Sequence, residues 1–305
     1  MSDVAVPARW TLARVRDAAV APLEVWNLPL ASRRLFWEVA GTPFVESQRL
    51  RGVADVLIAR EIAEAVADAA RQLHKQHKYE RLWVTGGLTA LAGFAGAAGH
   101  ALASVAFDPV ISSTGAFAGE AGGREVLAAH GHAGGVVVDV GQTSIKVSVF
   151  PGAEAGIGSV RPARILRARH LDALPRQFIG AAPVTPASAR AAALAAAPWI
   201  AESIIDALDS VVPRPVPAAL VLGLPCPVDD AFVLGACTYG WAGDSTLVPR
   251  IAALLAASGT FESASSVHML VLNDAELAAA SLPDVPPLRT LVLTLGFGPG
   301  AALRG

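Results

Sequence analysis

The chain has 305 residues, 53% of them hydrophobic and 16% charged, with a formal net charge of -2. That length accommodates two ordinary globular domains, each with its own core, and that composition excludes a disordered chain. The near-neutral balance provides no basic field for nucleic acid or an anionic membrane surface, so neither is expected as a partner.

The opening MSDVAVPARW lacks the basic flank and apolar run of a signal peptide. The only two cysteines, Cys226 and Cys237, fit neither a disulfide framework nor a metal-ligand spacing. The expectation is a cytoplasmic protein with free thiols. Across residues 50–77, Val53, Val56, Leu57, Ile62, Val66, Ala69 and Leu73 recur at helical spacing among charged residues, which predicts one long amphipathic helix. A short strand at 81–85 runs into Gly86 and Gly87. Residues 88–111 are long enough to span a bilayer, but they carry His100 and Asp108 and read as a packed helix of a core.

A glycine-rich stretch at 115–123 and a short helix lead to AAHGHAGG at 128–135, taken as the connection between domains, with His130 and His132 as a solvated pair. Residues 136–150, VVVDVGQTSIKVSVF, predict a hairpin. An alanine-rich helix follows at 186–209, then a buried strand at 218–224 stopped by Pro225 and Pro227, and a helix at 246–257. A strand at 267–272 meets Asn273-Asp274, which starts a helix by capping logic. The last strand, 289–295, breaks at GFGPG.

Three turns place small or hydroxyl residues at the end of an apolar strand, where backbone amides can face phosphate oxygens: DVGQTSIK at 139–146, TLGFGPG at 294–300 and TGGLT at 85–89. DVGQTSIK resembles the first phosphate motif of the sugar-kinase, heat-shock and actin superfamily. TLGFGPG resembles its second, and WVTGGLT its adenosine motif. Within that superfamily LGLPCPVDD (222–230), YGWAGD (239–244) and VLNDAELAAAS (271–281) resemble segments of the ROK family of sugar kinases and repressors.

The resemblance implies ATP and Mg as cofactors, a small-molecule sugar as substrate, and a cytoplasmic enzyme; it leaves a homodimer open. Asp139 would orient metal-bound waters, while Gly141, Gln142 and Thr143 would serve the phosphates. Lys146 either approaches that charge or is a lysine on a strand surface. Thr294, Gly296, Gly298 and Gly300 would form the second phosphate loop, and Gly86 and Gly87 would face adenine. Asp274 would be the general base, with Asn273 beside it at the sugar.

There are departures from the family pattern. Gln142 stands where the family has glycine, Glu276 where it has a second asparagine, and its cysteine-rich zinc motif is absent, so zinc is not expected. Its glutamate-x-x-histidine sugar contact is matched only by Glu24 with Asn27 in place of histidine; Glu24 as a surface carboxylate is the alternative.

The adenosine motif precedes both phosphate motifs here, the reverse of similar proteins. The resemblance therefore implies a circularly permuted, two-lobed α/β fold of the ribonuclease-H-like actin and hexokinase type. Residues 1–130 would be the usual C-terminal, adenosine-binding lobe, and 135–305 the usual N-terminal, phosphate- and sugar-binding lobe, with nucleotide in the cleft. The segment 300–305 would be an edge strand continued by residues 10–15. A non-catalytic sugar- or nucleotide-binding regulator is the alternative function.

Overall fold

The computed structural model describes residues 6–16, 20–22, 39–112, 115–141, 144–150, 162–167, 184–210, 218–237, 239–261, 264–282, 288–296 and 299–305. The protein is α/β, and it divides into two compact units. The first comprises Met1–Arg16 with Gly122–Leu277, the second Asp17–Ala121 with Ala278–Gly305.

The first unit is built on a six-stranded mixed sheet of β1 (Trp10–Arg14), β5 (Gly135–Val140), β6 (Ser144–Phe150), β7 (Pro162–Arg167), β8 (Ala219–Leu224) and β9 (Val267–Asn273). Its order is β1-β9-β8-β5-β6-β7. The β5-β6-β7 stretch is antiparallel, and β5, β8, β9 and β1 run parallel. Every residue of β8 is buried, as a central parallel strand covered on both faces must be.

Helix α5 (Pro186–Asp209) follows β7. It starts at a reciprocal Thr185–Ser188 capping box with proline in its first turn. Its stripe of Ala193, Ala197, Ile200, Ile204 and Leu208 belongs to the sheet's core. This helix is long and apolar enough to cross a membrane, but half of its most apolar window is buried inside the protein. Helix α6 (Leu247–Ala257) joins β8 to β9, and α7 (Asp274–Ala280) leaves β9.

The second unit carries β2 (Val20–Pro22), β3 (Arg81–Thr85), β4 (Asp108–Ile111), β10 (Thr290–Leu295) and β11 (Pro299–Arg304) in the order β2-β11-β10-β3-β4. Helices α1 (Thr42–Leu50) and α2 (Asp55–His77) lie between β2 and β3 along the chain. Helix α3 (Phe94–Ala101) lies between β3 and β4, and α4 (Ala118–Ala129), which follows β4, lies from Gly122 onward in the first unit. Helix α2 buries Ile58, Ile62, Val66 and Leu73 in one core with Leu291 and Leu293 of β10. It ends where Lys78 turns left-handed and returns its N–H to the His74 carbonyl.

The two sheets share one plan. Counted from β5, the first unit runs 3-2-1-4-5 with β1 added beside the fifth strand. Counted from β10, through β11 and then on to β2, β3 and β4, the second unit also runs 3-2-1-4-5. In both, strands one to three are antiparallel and strands one, four and five parallel.

Several expectations are corrected. The break of the chain near 130–135 is not the boundary of either unit: residues 128–135 lie within the first, where the His132 ring meets His268 edge-on at 5.0 Å. The segment 278–305 belongs with 17–121, because β10 pairs with β3, and residues 1–16 belong with 122–277, because β1 pairs with β9. The neighbour of β11 is therefore Val20–Pro22 instead of residues 10–15, and β11 is an inner strand. The helix expected over 50–77 is present but starts later, at Asp55, after the chain turns at Gly52, where φ is +78°. Residues 88–111 hold a 3-10 turn, α3 and β4, broken at Gly93 with φ +84°.

Candidate functional site

In the first unit the parallel strands bring their carboxyl ends into line. Asp139 of β5 is level with Gly223 of β8, and Leu224 of β8 is level with Asn273 of β9. Ligands of open α/β sheets gather at such strand ends. Asp139 also faces Lys146 across the β5-β6 pair, and the Lys146 Nζ donates to Asp139 Oδ2 at 3.2 Å. The two side chains are 25% and 13% exposed, so this is a partly buried ion pair.

Asp274 follows as the first residue of α7. Its carboxyl is pushed up to about 7 by burial and by the charge of Asp139; the Ala275 amide, Lys146 and Asn273 draw it back only partly. Asn273, not Asp274, caps the helix: its Oδ1 accepts the Ala275 N–H at 2.9 Å, and Glu276 Oε2 accepts the Asn273 N–H at 2.8 Å. The Asn273 amide group also donates to the Leu224 carbonyl at 3.3 Å, tying β9 to β8. Helix α7 lies close on the sheet because residue 223 is glycine; a Cβ there would come within 2.6 Å of the Leu277 side chain.

Glu276 accepts both Arg14 Nη2 contacts, at 2.6 and 2.7 Å, and the two side chains are 7% and 6% exposed. Arg14 Nε donates to the Val228 carbonyl at 2.7 Å. From the loop after β8, the Tyr239 hydroxyl donates to the Gly141 carbonyl at 3.0 Å, and its ring stacks on Trp241. In the same loop Cys226 and Cys237 are both free and buried, and its hydrogen bond with Cys237, together with burial, pushes the Cys226 thiol up.

Asp244 caps α6, accepting the Thr246 and Leu247 N–H groups at 2.8 and 2.9 Å. Arg14 and Tyr239 were not singled out in the sequence. For Arg14 a signal existed: it follows Trp10 and Leu12 at strand period on a face that packs into the core.

In the second unit Thr294 is level with Thr85 of β3 and with Gly300 of β11. The Gly296 carbonyl accepts from the Thr42 N–H and hydroxyl at 2.9 and 3.0 Å, at the start of α1. Gly86 has φ +102°, and a Cβ there would lie 2.2 Å from the Leu295 carbonyl oxygen. Gly87 opens the 3-10 turn with open space around its missing Cβ. Gln142, Thr143, Gly298, Glu24 and Asn27 lie outside the described residues. The structure thus brings Asp139, Gly141, Lys146, Asn273 and Asp274 together in one unit and Gly86, Gly87, Thr294, Gly296 and Gly300 in the other. The second phosphate loop does not belong to the unit of the first, because β10 and β11 pair with β3 and β2.

The buried carboxyl has a consequence for stability in the absence of metal and nucleotide. The unfolded chain releases the Asp274 proton near 3.8 and the folded one near 7, so between those values the folded state binds more protons. Stability contributed by this group therefore falls as pH rises through that window. The gain of Asp274→Asn over the parent is expected to grow from about pH 4 to about pH 7 and then level off, read from urea midpoints. A pH-independent difference would contradict the assignment.

Comparison of the chain with protein-family models, with curated proteins and with solved structures gives no match.

Proposed function

We propose that the protein is an ATP-dependent kinase that phosphorylates a hydroxyl of a hexose or amino sugar, with Asp274 as general base. The observation that carries this reading is the electrostatic coupling of Asp274 to Asp139 at the carboxyl ends of β9 and β5, the parallel strands on either side of β8. One carboxyl is neutralised by Lys146, and the other is held at an acidity suited to proton transfer near neutrality. The shared 3-2-1-4-5 plan supports a two-lobed ribonuclease-H-like fold. The second sheet follows that plan only when it is counted through the C-terminal strands to β2, and this supports a permuted order.

In this reading the turns after β5 and β10, which occupy the same place in the two sheets, are the phosphate loops, and the turn at Gly86-Gly87 serves adenosine. Asp139 would hold Mg through water, and the metal would screen phosphate charge. Two carboxylates with a lysine on one of them suit a hard cation that keeps its waters; among the described residues no group of three or more His, Cys, Asp or Glu encloses an ion. Asn273, fixed by its three hydrogen bonds, would orient the sugar beside the base. A cytoplasmic location is part of the same reading.

A non-catalytic regulator is favoured by one observation: Glu276, where the ROK family has a second asparagine, is consumed by Arg14. A calorimetric titration with Mg-ATP, followed by a sugar screen for ADP release, separates the readings. Nucleotide binding with sugar-dependent ADP release is the expected result; binding without turnover favours the regulator, and no binding at millimolar ATP overturns the kinase. Gly87→Ala is expected to leave the unfolding midpoint unchanged, since its Cβ meets nothing, while weakening ATP binding. Unchanged ATP affinity would remove Gly87 from the nucleotide site.

A further inference from the structure

We propose that Arg14 is a positioning residue for the Asn273-Asp274 junction, acting through Glu276. The inference rests on the kinase reading for its catalytic consequence, and on geometry alone for its structural one.

The chain of contacts is continuous. Arg14 reaches inward from β1, the strand added beside β9, and gives both Nη2 contacts to one carboxylate, Glu276 Oε1 and Oε2. One guanidinium nitrogen that touches both oxygens holds the carboxylate in position and limits its rotation. The same Oε2 then accepts the Asn273 N–H, and Asn273 caps the turn whose first residue is Asp274. Arg14 also donates to three backbone carbonyls, those of Val228 in the loop after β8, of Val15 just past the end of β1 and of Val271 on β9. One guanidinium therefore fixes the helix start and the adjoining loop together.

The placement of the pair argues against surface decoration. At 6% and 7% exposure both ions have lost most of their water, and such a pair is weak grounds for stability, because apolar residues of similar volume often replace it without loss. What apolar residues cannot supply is an acceptor for the Asn273 N–H. The specific contribution of the pair is the orientation of the capping residue and hence of the next carboxylate. No capping box needs an arginine behind its glutamate; here the arginine prevents the carboxylate from rotating away from the amide.

The test separates positioning from stability. The double variant Arg14→Met with Glu276→Leu removes both charges together, so its urea midpoint is expected to fall only by what the unpartnered Asn273 amide costs. Turnover is nevertheless expected to fall about a hundredfold, the scale of a small misplacement of a reacting group, with KM for ATP within about twofold. Glu276→Gln, which keeps an acceptor for the amide, should recover most of that loss. Should the double variant retain parental turnover, or should turnover merely track the unfolding midpoint across the three proteins, the proposal is wrong.

If the parent itself transfers no phosphate to any sugar, the kinase reading has failed and the positioning claim is read from hydrogen exchange instead. The Asn273 amide must then exchange faster in the double variant than in the parent at equal global stability, and unchanged protection overturns the claim.

Discussion

Asp274→Asn is expected to lower sugar-dependent turnover by roughly two to four orders of magnitude, about 3 to 5 kcal/mol of barrier, the scale of losing a general base. The amide keeps the shape of the side chain but cannot accept the proton of an attacking hydroxyl. Asn273 still caps α7, because the cap is made by its own side chain and by Glu276, so the helix should be undisturbed. Affinity for Mg-ATP should change little. The measurement is a coupled ADP-release assay beside a calorimetric titration on the same preparation. An Asp274→Asn enzyme of parental activity would place the base elsewhere and sink the kinase assignment of this carboxylate.

The second large effect is expected in stability. Gly86→Ala forces a Cβ onto a residue at φ +102°, where L side chains are strained, and drives it against the Leu295 carbonyl, amide and carbonyl carbon at 2.2 to 2.7 Å. Neither group is the flexible end of a side chain, so relief requires β3 and β10 to move apart. Positive φ and overpacking each cost on the order of 1–3 kcal/mol, and together roughly 3 kcal/mol or more is expected. That is a large fraction of the whole stability of a domain. The check is chemical denaturation of both variants, with Gly87→Ala as the neighbouring control. A Gly86→Ala protein with the parental midpoint would mean that the contact of Gly86 with Leu295 is looser than this geometry gives.

What could be read from the sequence was local. The hairpin around Asp139 and Lys146, the buried strand before Pro225, the helix after Thr246 and the strand running into Asn273 each carry their own period and punctuation, and each appears as an element. The helix expected over 50–77 starts only at Asp55, because Gly52 turns left-handed; Val56 and Leu57, read as part of its apolar stripe, are 57% and 55% exposed, and the buried stripe begins at Ile58. Non-local pairing left no mark in the sequence.

Nothing in WTLAR says that it lies beside residues 267–271, and without that pairing Arg14 has no reason to be singled out. The same holds for the turn after β10, whose unit is set by pairing with β3, roughly two hundred residues earlier in the chain, which a local pattern cannot encode. Asp274 was legible as a residue of the site; its acidity was not, because that depends on burial and on Asp139 arriving from another strand.

The shared plan of the two sheets has a consequence during synthesis. Strands β5 to β9 leave the ribosome one after another, so the first sheet can form as its chain appears. The second sheet cannot: β3 and β4 are made early, but β10, which lies between β3 and β11, comes nearly last. At usual elongation rates the interval between Ile111 and Thr290 is on the order of ten to forty seconds. Throughout it the flank of β3 lacks its partner, and the Ile58 to Leu73 face of α2 lacks Leu291 and Leu293. A nascent chain of this protein therefore displays an open strand edge beside an uncovered apolar helix, the combination that chaperones shield and that aggregates when they do not.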